Sequence, residues 1–173
     1  MLGSPVSETG RRADEPRYGI RLRAPCFTGT EPWNPQRIGA AVLYCSDGRW
    51  GEAFDEFCHR RLLIPRYDRW ALPGGPVCLL PRGSGDGFCR GVWERLDFLV
   101  RAHGLRRVVL IAHFGCAYYT DLLGEDPDDR LPDQLDDLQA AARALRAWFP
   151  GIDVESYLAM RHEPRLSFHE VGA

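Results

Sequence analysis

The order of apolar and polar positions divides most of the chain into alternating strand-like and helix-like segments. Ile38 to Tyr44 is an almost unbroken apolar run, the pattern of a strand buried on both faces, and Cys45 stands where it meets a loop. Gly51 to Leu63 brings Phe54, Phe57, Cys58 and Leu62 round at helical spacing, and Arg66 to Leu72 reads as a second strand closed by Pro73-Gly74-Gly75-Pro76. A stronger helix opens at Asp86, with Phe88, Val92, Leu96, Leu99 and Val100 as its apolar stripe and His103-Gly104 as its C-cap. Arg106 to Cys116 is a buried strand that runs straight into polar residues. The acidic stretch Gly124 to Gln134 reads as a loop before a helix carrying Leu135, Leu138, Ala142, Leu145 and Phe149, which Pro150-Gly151 stops. Two strands follow, around Val154 to Met160 and Arg165 to Val171, joined at Glu163-Pro164 as an antiparallel hairpin.

Strands alternating with helices of this length predict an α/β fold: a mostly parallel sheet with helices on both faces, right-handed crossovers and an antiparallel edge strand. Residues 1–34, rich in arginine, proline and glycine and without a sustained period, read as an irregular arm; 35–173 reads as one domain. Gly83 to Gly87 lacks the spacing of a dinucleotide-binding turn and reads as a loop.

Composition narrows the function. The chain has 173 residues, 45% of them hydrophobic, enough for one core and too few for two. Its net charge of −2, without a basic block, favours neither nucleic acid nor an anionic membrane surface and leaves small molecules or proteins as partners. All its cationic side chains are arginine, which removes Schiff-base chemistry and the lysine of a P-loop. The N-terminus lacks the apolar centre of a secretory signal and no run reaches a membrane span, so a cytoplasmic location is expected. There the six cysteines, Cys26, Cys45, Cys58, Cys78, Cys89 and Cys116, read as thiols rather than three disulfides.

Cys45 ends the first strand, His113 ends the third and Cys116 lies three residues further on, so two thiols and an imidazole meet at the carboxyl end of the sheet. Two Cys and one His suit tetrahedral zinc and leave a fourth position open, as catalytic sites do. A packed thiol and a redox thiol are the other readings of Cys45; no Cys-x-x-Cys pair supports the latter. Asp47 could accept a hydrogen bond from metal-bound water or enter the fourth position itself, and Arg49 could fix that carboxylate by a bidentate pair. His59, His103, His162 and His169 are candidates for proton relay, with a surface position as the plainer reading of each.

Cys45-Ser46-Asp47-Gly48-Arg49 and His113-Phe114-Gly115-Cys116 resemble the paired motifs Cys-x-Asp-x-Arg and His-x-x-Cys of the β-class carbonic anhydrases. The resemblance covers roughly Ile38 to Tyr119 in order and spacing. It implies that Cys45, His113 and Cys116 hold Zn2+ and that Asp47 and Arg49 are the catalytic dyad orienting a zinc hydroxide, which attacks carbon dioxide to give bicarbonate. It also implies a dimer or a multiple of dimers, for which Trp33, Trp50 and Trp93 are candidate contacts. The pocket differs from the family's: Gly48 replaces a serine, Phe114 stands beside the histidine, Tyr118-Tyr119 follow the second thiol, and Leu72-Pro73-Gly74-Gly75 forms either an apolar pocket wall or a strand-ending turn. A zinc hydrolase of carbonyl sulfide or carbon disulfide, and a non-catalytic relative with a structural zinc, are the alternatives.

Overall fold

Five strands form one sheet, in a computed structural model that describes residues 24–124 and 127–172. In chain order the elements are β1 (Ala40–Cys45), α1 (Gly51–Glu56), β2 (Asp68–Leu72), α2 (Pro81–Leu99), β3 (Arg107–His113), α3 (Ala117–Leu123), α4 (Pro127–Trp148), β4 (Asp153–His162) and β5 (Arg165–Glu170). The spatial order is β2-β1-β3-β4-β5, parallel from β2 to β4, with β5 antiparallel at the edge. The fold class read from the periodicity is therefore the one observed. From β1 the chain first moves outward to β2 and then crosses back to β3 on the other side, so the strand order reverses between β1 and β3. A crevice opens beyond the carboxyl ends of strands at such a reversal.

The continuous apolar runs of β1 and β3 arise because each strand feeds two cores. Leu43, Val108, Leu110 and Ala112 pack with Val92 and Leu96 of α2 and with Leu138, Ala142 and Leu145 of α4. Their neighbours Val42, Tyr44, Val109 and Ile111 point the other way, onto Trp50, Phe54 and Cys58 of the α1 side. Helices thus cover both faces, and the two-residue period of each strand sorts its side chains between them.

Four local expectations are corrected. The helix expected over Gly51 to Leu63 loosens after Glu56 into a wider turn, Phe57–Arg61, that ends in Leu63 at positive φ. α2 starts at Pro81 rather than Asp86, but Gly85 breaks it with non-helical backbone, so the expected glycine loop survives as a kink. Phe88 of the expected stripe is exposed; Val92 and Leu96 carry the burial. Most of the acidic stretch is helix: α4 begins at Pro127, which suits a first helical position, and its acidic first turn is favoured by the helix dipole. Glu125 and Asp126 lie outside the described residues.

Contacts divide the chain into Met1–Pro35 and Gln36–Ala173. Of the expected arm, 1–23 lies outside the described residues, and 24–34 carries no helix or strand. All six cysteines are free thiols. No helix among the described residues is long and apolar enough to cross a membrane.

Candidate metal centre

β1 and β3 are hydrogen-bonded neighbours, Tyr44 lying opposite Ile111, so their carboxyl ends deliver Cys45 and His113 side by side. Two loops then shape the site. After Cys45, Ser46 N–H still donates to Leu72 O, and Asp47 to Trp50 form a tight turn closed by Trp50 N–H to Asp47 O at 3.1 Å. The Asp47 carboxylate caps that turn by accepting from Arg49 N–H at 3.1 Å. After His113 the chain reverses through Gly115 at φ +67°, a backbone that favours glycine, and returns Cys116 to the first turn of α3. Gly75 meets the back of the site: a Cβ there would lie 2.9 Å from Cys45 N. The Leu72-to-Gly75 corner is thus packed against the end of β1 as a turn, the second of its two sequence readings.

The three expected ligand residues come together. One donor atom each from Cys45, His113 and Cys116 lies within 4.8 Å of the others, and all three residues are buried. The His113 ring is fixed: Nδ1 lies 3.0 Å from Phe114 O, an acceptor, so the proton sits on Nδ1 and leaves a lone pair on Nε2. That Nε2 is buried and has no hydrogen-bond partner. An unpaired buried acceptor is costly, and a cation would satisfy it.

The sulfurs of Cys45 and Cys116 are 3.7 Å apart. The hydrogen bond between them draws the proton affinity of Cys45 down, helped by His113 and by Asp47 N–H, and pushes that of Cys116 up. One of the two sulfurs therefore gives up its proton more readily than the other, and a metal bound there would replace the remaining proton. The core thiols behave oppositely. Burial pushes Cys58 up to about 11 and Cys78 up to about 12, and Cys89 is also raised by burial and donates to Leu79 O at 3.2 Å. Burial alone does not separate ligand from filler; a second sulfur and an imidazole do. The donor set and the orphaned nitrogen fit zinc.

Asp47 and Arg49 form the expected pair. Arg49 Nε donates to Oδ1 at 2.9 Å and to Oδ2 at 3.1 Å, and Nη2 donates to Oδ2 at 2.5 Å. This bidentate contact holds the Asp47 carboxyl down at about 2. Asp47 is not among the residues that could jointly hold the ion, and among the described residues no fourth His, Cys, Asp or Glu joins the three.

Trp50 belongs to the site although the motif did not mark it as such. Its ring lies 4.6 Å from that of His113, tilted by 34°, and it is buried rather than available to another subunit. Its place directly after the motif arginine was the only sequence signal. A groove of about 310 Å³ opens beside the dyad, lined by Arg49, Trp50, Phe114, Gly115, Arg161 and Leu166. The other histidines lie elsewhere: His103 pairs with Asp68 at 2.7 Å, His59 is near Tyr67, and His162 and His169 face each other across the edge hairpin.

No family profile and no curated protein matches the chain by sequence. Solved structures do. The chain is similar to β-carbonic anhydrase isoform I of Trichomonas vaginalis, with 14% identity and a TM-score of 0.50 over 84% of this chain and 90% of that one. It is similar in the same way to a β-carbonic anhydrase of Aspergillus fumigatus, with 14% identity and a TM-score of 0.50 over 80% of this chain and 78% of that one. At this distance the sheet order, the antiparallel edge and the flanking helices are what is shared, and the chain has the β-carbonic anhydrase fold.

Proposed function

We propose that the protein is a zinc-dependent lyase of the carbonic anhydrase kind, hydrating carbon dioxide reversibly to bicarbonate. The observation that carries this reading is the incomplete donor set: three buried donors converge, while the carboxylate of Asp47, two residues on from Cys45, is turned onto Arg49. A purely structural zinc would be expected to have a fourth protein ligand.

Cys45, Cys116 and His113 Nε2 would hold the ion. Zinc, when bound, is a Lewis acid that lowers the pKa of water to about 7 and so supplies hydroxide at neutral pH. The protein's own groups do the rest. Asp47, ionised at any physiological pH, only accepts hydrogen bonds, so it would accept one from a water or hydroxide at the open position and fix its orientation. Arg49 prevents the carboxylate from swinging away, and its bidentate grip fixes both oxygens at once. Trp50 covers the His113 ring and excludes water from that side. Arg49, paired with Asp47, and Arg161, paired with Glu163 at 3.2 Å, line the adjoining groove and offer the bicarbonate anion guanidinium donors on its way out.

The test is stopped-flow hydration of carbon dioxide, expressed per bound zinc, at pH 7 and pH 8.5. Turnover at both values is expected, and Asp47→Asn should keep its zinc and lose about 100-fold or more in rate. Activity confined to pH 8.5 would mean that Asp47 leaves Arg49 and blocks the metal. Zinc-loaded protein that hydrates no carbon dioxide but hydrolyses carbonyl sulfide would reassign the substrate; inactivity towards both would leave a structural zinc.

A further inference from the structure

Two tyrosines and a buried aspartate remain outside the chemistry above. Tyr118 and Tyr119 lie in the first turn of α3, after Cys116 and Ala117, and each side chain is tied to a different part of the molecule. Tyr118 OH donates to Gly83 O at the start of α2, and its ring lies against Gly74. Tyr119, buried beside Cys45, Cys116 and Val77, donates from its OH to Asp137 Oδ2 of α4 at 2.9 Å. Asp137 is itself buried, and Arg82, the residue before Gly83, reaches the same Oδ2 from Nε at 3.1 Å and from Nη2 at 2.8 Å. Asp133 meets the outer side of that guanidinium at 3.3 Å. The Gly74 turn, the start of α2 and α4 thus converge on Tyr118 and Tyr119.

We infer that Tyr119 and Asp137 are positioning residues for the metal centre: with Arg82 and Tyr118 they clamp the first turn of α3 and so fix where the Cys116 sulfur points. The argument runs through the backbone. Tyr119 N–H donates to Cys116 O at 3.0 Å and Thr120 N–H donates to the same oxygen at 3.2 Å, which closes the turn carrying the thiol. Cys116 lies between the reversal at Gly115 and this clamped turn, and the clamp helps to hold it 3.7 Å from Cys45. A buried carboxylate that accepts from both a tyrosine and an arginine is costly to desolvate. Apolar residues would hold α3 against α4 without that cost; a hydroxyl–carboxylate–guanidinium chain adds a fixed direction.

The inference rests on the metal reading, and the experiment separates the two. The probe is Co2+ titrated into the metal-free full-length protein, following the sulfur-to-cobalt charge-transfer band and the d–d bands. Wild-type protein should bind one Co2+ with the spectrum of a tetrahedral thiolate site. Tyr119→Phe, which keeps the ring and loses only the hydroxyl, should weaken Co2+ and Zn2+ binding about tenfold or more and shift the charge-transfer band. Asp137→Asn, close in shape, should lie between wild type and Tyr119→Phe, and the double variant should be no worse than Tyr119→Phe alone, since both break one chain. Wild-type affinity and spectrum in Tyr119→Phe, with only a lower melting temperature, would make the tyrosine a packing residue and overturn the inference while leaving the metal site standing. A wild-type protein that binds neither ion would overturn the metal reading and this inference together.

Discussion

The two ends of the parallel sheet treat their polar groups in opposite ways. At the amino end, Arg107 of β3 is fully employed: it donates to both oxygens of Glu155 at 2.5 and 2.8 Å and to Leu62 O at 3.0 Å, while Tyr157 OH completes the carboxylate at 2.7 Å. Asp68, opening β2, has His103 as its partner there. At the carboxyl end a histidine nitrogen is buried without a partner, and two sulfurs contend for one proton. Matched valences hold a fold together; Ser156 Oγ of β4 is also buried without a partner, so it is the unmet nitrogen together with two sulfurs that marks the place where the protein expects something from outside. The same contrast separates ordinary buried thiols such as Cys58 and Cys78 from Cys45.

The sharpest way to break the comparison is to remove a donor from each end. His113→Ala should abolish stoichiometric zinc binding, read by elemental analysis, with the fold retained by circular dichroism. Arg107→Met should do the converse: zinc stays near one per chain, and chemical denaturation shows a loss of about 2 kcal/mol, because Glu155 is left without its cation. If Arg107→Met lost zinc, or His113→Ala kept it, the division of labour between the ends would be wrong. A smaller effect is expected from Arg49→Lys, which keeps the charge and loses the planar fork: zinc retained, hydration slowed about tenfold.

The smallest effect concerns pH. The Arg49 guanidinium holds Asp47 down at about 2, below the unfolded value, so its contribution to stability is fully present above about pH 4 and is lost as pH falls through about 2. Between pH 6 and 9 the dyad therefore contributes no titration, and any inflection in the activity profile belongs to the metal centre. An NMR titration in which the Asp47 carboxyl moved with a midpoint near 4 would show that the pair is open in solution.

How much of this was legible in the sequence depends on how local each feature is. β1, β3 and the motifs at their ends could be read because a doubly buried strand is a continuous apolar run and its last residue is visible in the string. α3 could not be read, since seven residues carry too little periodicity. The start of α4 was hidden because Pro127, Pro132 and the acidic residues between them look like loop signals, although proline and carboxylates are also what a helix N-terminus favours. Trp50 over His113, and Asp137 between Tyr119 and Arg82, are meetings of residues from separate elements, and nothing in their neighbourhoods in the sequence distinguishes Asp137 from the other acidic residues of α4.

X-ray absorption at the zinc edge of the protein, loaded with one equivalent, tests the central claim most directly. The account predicts two sulfur scatterers at about 2.3 Å and lighter nitrogen or oxygen scatterers at about 2.0–2.1 Å. A shell of nitrogen and oxygen alone, without sulfur, would contradict it.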